Sequence, residues 1–354
     1  MTSSAGVSSA ITNATSSRIL SLDGLRALSI LSVLLGHLSG TRNFGTVQTG
    51  LGNLAHLGVV VFFVISGFLI TSLLLNEHQK HGGVSLKLFY ARRALRIFPP
   101  CYAYLVLVSM LWLAGVIRLH PGDLLHSITY TVNYYPFSSW QIGHLWSLSV
   151  EEQFYLLWPL IVVLLRPDRA VWGAVGLMVL APFARSADWL FLRGTPYYDL
   201  TMFPMVADSL AAGCLLAKLR PWLERQTWYL RLFRPAYSFG LLGALFALNR
   251  LLGHTIVSVA GMSVMNVILA ILIHRAVYRP GDWCGHVLNW KPVAFLGTLS
   301  YSLYLWQQLF LNRHSTAWVN AFPQNLVATV GVALASYLLL EKPLLRWRGA
   351  LRTS

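Results

Sequence analysis

The chain is short of charge, and shorter still of acid. Only 11% of its 354 residues are charged, with 12 Asp and Glu against 27 Lys and Arg, a formal net charge of +15. Soluble globular domains carry roughly 25% charged residues, so an ordinary soluble domain is excluded. Cysteine is nearly absent: Cys101, Cys214 and Cys284 stand far apart and outside any metal-ligand spacing, which argues against a disulfide scaffold or a cysteine-based metal site. No internal repeat is visible, which removes solenoids and repeat arrays. Apolar residues fill the chain instead, 56% of it, with a mean hydropathy of +0.58. The sequence is that of an integral membrane protein.

Apolar runs long enough to cross the hydrocarbon, roughly 20 residues each, fall near 20–40, 54–75, 97–117, 145–165, 170–187, 199–217, 235–252, 255–274, 292–312 and 319–340. They imply an all-α, polytopic membrane bundle of about ten transmembrane helices. The fifth run is shortened by Pro182 and Arg185, and the sixth contains Asp199 and Asp208. With the N-terminus in the cytoplasm, twenty Lys and Arg residues fall on inner segments and six on outer ones, with Arg26 inside the first span. Cytoplasmic segments are the cation-rich ones, so both termini are expected inside, in the cell inner (cytoplasmic) membrane. The same asymmetry accounts for an isoelectric point near 10.1 without nucleic acid. Residues 1–18, rich in Ser, Thr and Ala, read as a disordered tail, 19–348 as the transmembrane domain and 349–354 as a short cytoplasmic tail. The sequon at Asn13 would not meet the glycosylation machinery on that side.

Ionisable groups inside such runs are costly and mark interior sites. The stretch LDGLRALSILSVLLGH, residues 22–37, has Arg26 and His37 on one helical face, roughly 16 Å apart along the axis, with Asp23 close to the same stripe. His37 either snorkels to the outer interface or serves as a general base, which a neutral imidazole can do near neutral pH. In HLWSLSVEEQFYLLWP, residues 144–159, Glu151 and Glu152 point about 100° apart. One of them, at a depth like that of His37, could orient and charge the imidazole; the alternative is hydrogen bonding between helices by Glu, Gln153 and Tyr155. In FYARRALRIFPP, residues 89–100, Arg92, Arg93 and Arg96 cluster at an inner mouth. They suit phosphate, and equally suit anchoring to acidic lipid headgroups.

These three stretches, with GVVVFFVISGFLIT (58–71), FLGTLSYSLYLWQQ (295–308) and SYLLLEKPLLRWR (336–348), resemble the acyltransferase family 3 membrane proteins. Members O-acylate bacterial polysaccharides, lipopolysaccharide and some macrolides. The resemblance runs from about residue 19 to 348. It implies that Arg26 and His37 form the family's Arg-x10-His motif with His37 catalytic. It implies that Arg93 and Arg96 form the family's Arg-x-x-Arg motif, associated with the acyl-coenzyme A donor, and that Glu151 is the acid of the Trp-Ser-Leu segment; Arg92 and Arg26 are expected to join them in binding the donor. Trp146 is expected to meet substrate, and Tyr301 and Tyr304 either line the acyl path or simply pack. One departure is Gln307, where many members have His after the Trp. The chain ends soon after its tenth run, so it is expected to lack the esterase-like domain of some relatives.

The expected activity is transfer of an acyl group, acetyl above all, from cytoplasmic acyl-coenzyme A to a hydroxyl of a carbohydrate, glycolipid or macrolide at or near the outer face. No metal and no resident cofactor is expected. The aromatic outer stretch YTVNYYPFSSW, 130–140, could stack on a sugar or belong to an interfacial belt. A transporter or flippase of a polysaccharide precursor is the alternative; it predicts broken helices or a repeat between halves, and neither is visible in the sequence. A lipid-linked glycosyltransferase would need an acidic metal or nucleotide site that the sequence does not offer.

Overall fold

The computed structural model describes residues 19–45, 53–198, 201–251 and 256–350. Every regular element among them is helical. In chain order, α1 is Leu20–Leu38, α2 Leu54–His81, α3 Leu86–Leu113, α4 Asp123–Ile128 and α5 Trp140–Gly143. Then come α6 Leu145–Phe191, α7 Phe203–Leu223, α8 Thr227–Arg231, α9 Pro235–Arg250, α10 Met262–Tyr278, α11 Trp283–Asn289, α12 Lys291–Phe310, α13 Gln324–Ser336 and α14 Lys342–Ala350. A π-helical turn, Val257–Gly261, leads into α10, and another, Tyr337–Glu341, joins α13 to α14. Six helical runs are long and apolar enough to cross a membrane. The expected tail at 1–18, and Asp199, lie outside the described residues; of the expected tail at 349–354, the first two residues still belong to the backbone of α14.

Several boundaries move for identifiable reasons. The third helix begins at Leu86, not near 97, because Ser85 caps it: its Oγ accepts the Leu88 N–H at 3.4 Å, and Glu77 takes the Ser85 N–H at 2.8 Å. Pro99 and Pro100 are carried inside this helix. The fourth and fifth runs form one element, α6, folded into two arms (145–165 and 167–191) at Arg166, whose φ is 63° and ψ 151°. Pro167 follows, and the residue before a proline is driven out of the helical region. The second arm runs on to Phe191 because Arg185 is not at the surface. It is fully buried, with its guanidinium on Asp208 of α7 at 2.9 Å and on Ser263 of α10 at 2.7 Å. Asp208 thus faces the interior, paired with an arginine of the second arm of α6.

Helices in lipid approach closely where a residue has no side chain. Gly67 of α2 rests against the Leu210 carbonyl of α7, and Gly297 of α12 against the Asp23 backbone of α1; a Cβ at either would overlap main chain. These contacts draw α1, α2, α7 and α12 around a core that includes Phe63, Phe68, Tyr104, Phe154 and Trp158.

The long connection between α3 and α5 turns back into the bundle. Fully buried Asp123 ties its base by accepting the His120 N–H at 2.7 Å and the Ser139 N–H at 3.2 Å. The chain reverses at Tyr130, where φ is 53°. The Tyr130 ring stacks on Phe98 with centroids 5.5 Å apart, and its carbonyl accepts from Gln153 Nε2 at 2.8 Å. Asn133 and Gln153 exchange amide hydrogen bonds at 3.2 and 2.9 Å. Phe98 and Gln153 lie well inside α3 and α6, so the loop is re-entrant. Non-helical backbone at such depth requires protein partners, and Gln153 supplies them.

Candidate active site

His37 occupies the last turn of α1, partly buried. Its Nδ1 lies 3.2 Å from the amide oxygen of Gln307 in α12. An amide oxygen only accepts, so Nδ1 carries the proton and Nε2 is the free base. Trp140 of α5 meets the imidazole edge-on at 6.1 Å and donates its indole N–H to the Gln308 carbonyl at 3.0 Å. Arg313 completes this rim: its guanidinium lies 5.4 Å above the Trp140 ring and donates to the Gly36 carbonyl at 3.1 Å.

A second histidine stands beside the first. His144, just ahead of α6 and 4% exposed, interacts electrostatically with His37. Its Nε2 donates to the Leu305 carbonyl at 3.0 Å, two residues before Gln307. Its Nδ1 is buried with no hydrogen-bond partner among the described residues, and so is Nε2 of Gln307. The same turn of α12 adds Trp306 Nε1 and Gln308 Oε1 in the same condition. An unmet buried polar group costs about 1–3 kcal/mol, so a turn holding several of them is arranged for something other than stability.

Glu151 is not the partner of His37. Its electrostatic neighbours are Arg26 of α1 and Arg93 and Arg96 of α3, with Ser66 of α2 beside it. The reason is depth. His144, which interacts with His37, stands just ahead of Leu145, and Glu151 lies seven residues, roughly 10 Å, farther along the axis. Arg93 stacks on the Tyr155 ring at 4.8 Å, and Tyr155 shares a hydrogen bond with Ser66 at 2.6 Å. Glu341, from the π turn before α14, joins the group: it interacts with Arg96 and Arg26 and accepts the hydroxyl of Ser302. Arg92 goes elsewhere, ion-paired to Glu77 at 3.2 Å. Glu152 neighbours Glu151 and Arg93 and keeps one buried oxygen without a partner among the described residues.

The arginine group and His37 are joined by one face of α12. Tyr301 donates to the Ile97 carbonyl of α3 at 2.7 Å, and Tyr304 to the His144 carbonyl at 2.8 Å, with Ser147 Oγ 2.6 Å away. Tyr301, Tyr304 and Gln307 follow at intervals of three, so they make a slowly winding polar track. Trp146 lies off this track, edge-on to Phe63 at 5.9 Å. Of the aromatic stretch 130–140, Tyr130 and Trp140 turn inward. Arg26, Arg93, Arg96 and Glu151 thus form one electrostatic group, Tyr301 and Tyr304 lie on the α12 face that leads to Gln307 and His37, Arg92 and Trp146 stand apart, and His144, Gln307 and Glu341 are added. His144 opens the stretch that yielded Glu151, and its position just before the helix was the available signal.

A family model described as an acyltransferase domain matches residues 19–341. The chain is similar to a peptidoglycan O-acetyltransferase of Listeria monocytogenes, 28% identical over 92% of this chain and 55% of that protein. A Bacillus subtilis protein provisionally named a peptidoglycan O-acetyltransferase is 30% identical over 91% of this chain and 54% of its own length. A Staphylococcus aureus protein provisionally named an O-acetyltransferase is 29% identical over 93% and 59%. The chain spans about half the length of these relatives.

Proposed function

The chain belongs to the acyltransferase family whose domain model it matches, and from that premise we propose that it is a multi-pass O-acyltransferase of the cytoplasmic membrane. It crosses the bilayer ten times, with both termini inside. It carries acyl groups, acetyl above all, from coenzyme A on the inner side to a hydroxyl of a carbohydrate or glycoconjugate near the outer face. The names of the relatives favour a peptidoglycan-like glycan as acceptor.

The observation that carries the reading is the polar track on α12, with guanidinium groups at one end and a tautomer-fixed histidine at the other. Arg93 and Arg96 suit the phosphates of the donor, and Arg26 lies between them and His37. The pantetheine arm then spans the distance to His37. There the attacking hydroxyl gives its proton to Nε2 of His37 as its oxygen bonds to the thioester carbon. The carbon–sulfur bond breaks, and the departing thiolate recovers the proton from the imidazolium. Gln307 holds the ring in the tautomer this requires.

The test uses purified protein and labelled acetyl-coenzyme A. His37→Ala is expected to bind donor with unchanged affinity and to transfer none. Arg93→Ala combined with Arg96→Ala is expected to raise the donor KM by about tenfold or more, the loss of one or more charge-assisted hydrogen bonds. Near-normal transfer by the His37 variant overturns the site, and normal donor binding by the arginine variant returns those residues to topology anchors.

A further inference from the structure

Two buried atoms of the His37 surroundings that lack a hydrogen-bond partner among the described residues have opposite character. Nδ1 of His144 can only accept, because its Nε2 proton is committed to the Leu305 carbonyl. Nε2 of Gln307 can only donate, because the oxygen of the same amide is committed to His37. Both groups are held by one turn of α12, through the Leu305 carbonyl and residue 307 itself, and neither is exposed: His144 is 4% and Gln307 0% accessible. The Leu305 carbonyl that takes the His144 proton lies two residues before Gln307, whose amide holds His37, so both imidazoles are tied to one turn of α12. His37 needs one proton from the reacting hydroxyl, so the second pair of atoms is surplus to the transfer step.

We propose that His144 Nδ1 and Gln307 Nε2–H form an acceptor-recognition subsite for a polar substituent adjacent to the reacting hydroxyl, a group that both donates and accepts a hydrogen bond. A neighbouring hydroxyl or an acetamido group of a sugar fits; an isolated alcohol or a water molecule leaves the pair unfilled beside the reaction. The proposal rests on the reading of His37 as the base. It deepens that reading by assigning the choice between sugar and water to residues that do not take the proton. A site built to hydrogen-bond a substrate group discriminates strongly against molecules lacking it, because its own buried groups are then left unpaired.

The experiment measures how labelled acetyl-coenzyme A is partitioned by the full chain in nanodiscs between chitotetraose, which carries hydroxyl and acetamido groups, and water. His144→Gln keeps a donor for the Leu305 carbonyl and removes the Nδ1 acceptor; His144→Asn supplies an acceptor near the Nδ1 position. The glycan-to-acetate ratio is expected to fall at least tenfold in His144→Gln and to be largely restored in His144→Asn. Gln307→Glu, which keeps an oxygen for His37 and loses the N–H, is expected to lower the same ratio. Equal ratios in His144→Gln and the wild type overturn the subsite, as does equal loss of both products in His144→Gln and His144→Asn, which marks a structural role. If one His144 variant fails to insert, Gln307→Glu alone decides the proposal. An absence of both products from the wild type, or their survival in His37→Ala, overturns the proposed function and the subsite with it. Loss of both products in His37→Ala together with unaltered partitioning in the other variants leaves that function standing and removes only the subsite.

Discussion

Glu151 and Glu152 are consecutive residues with different surroundings. Three guanidinium groups, from Arg26, Arg93 and Arg96, surround the first, whereas the second has Arg93 as its cationic neighbour. Removing one member of this half-buried charge group leaves three guanidinium groups less well compensated. Glu151→Gln is therefore expected to lower the melting temperature and the affinity for donor while leaving the pH dependence of the transfer step unchanged. Glu152→Gln should do little to either. Differential scanning fluorimetry with and without acetyl-coenzyme A separates the two, and a pH profile altered by Glu151→Gln would return that carboxylate to His37. The sequence made the residue type and its importance legible, but not its partner. Adjacent positions on a helix fix direction, whereas the neighbours each one meets are set by the packing of other helices, here α1, α2 and α3, which spacing within α6 does not reveal.

At the scale of elements, the apolar runs were legible because hydrocarbon thickness sets helix length. What escaped was punctuation. Arg92, Arg93 and Arg96 made the start of α3 look like a loop, although their charges are met by neighbours of the folded bundle. Pro182 and Arg185 made the second arm of α6 look short, although Asp208 neutralises the arginine across a helix interface. Sequence spacing within one run cannot reveal a partner in another. Gly297 is a case where a single atom decides such an interface. Gly297→Leu is expected to push α12 away from the Asp23 backbone, costing about 1–3 kcal/mol by overpacking and disturbing the track that ends at Gln307. Gly331→Leu, on α13 where nothing approaches within 4 Å, is the control and should be nearly neutral. Melting and transfer assays on both check it; equal tolerance would mean that the two helices are not held by this contact.

At the scale of the molecule, the proposed ten crossings with both termini inside would place most of the Lys and Arg residues on one side. Cysteines introduced singly into a cysteine-free chain test the arrangement. Lys80→Cys, at the exposed end of α2, is expected to react with an impermeant maleimide only after the cells are opened. Thr195→Cys, beyond the second arm of α6, should react in intact cells. Reaction of both under the same condition would remove one crossing between them and reverse everything that follows.

The re-entrant loop between α3 and α5 has a bearing on how such a chain is made. Its polar backbone at Tyr130 is satisfied by Gln153, a residue synthesised more than twenty positions later. When the loop leaves the ribosome its partner does not yet exist, and the surrounding lipid offers no substitute. The segment must therefore wait in water until α6 has been inserted, and only then fold inward. Assembly is thus ordered in time: the helices enter first, and the loop folds in last, a piece of chain made before the wall against which it closes.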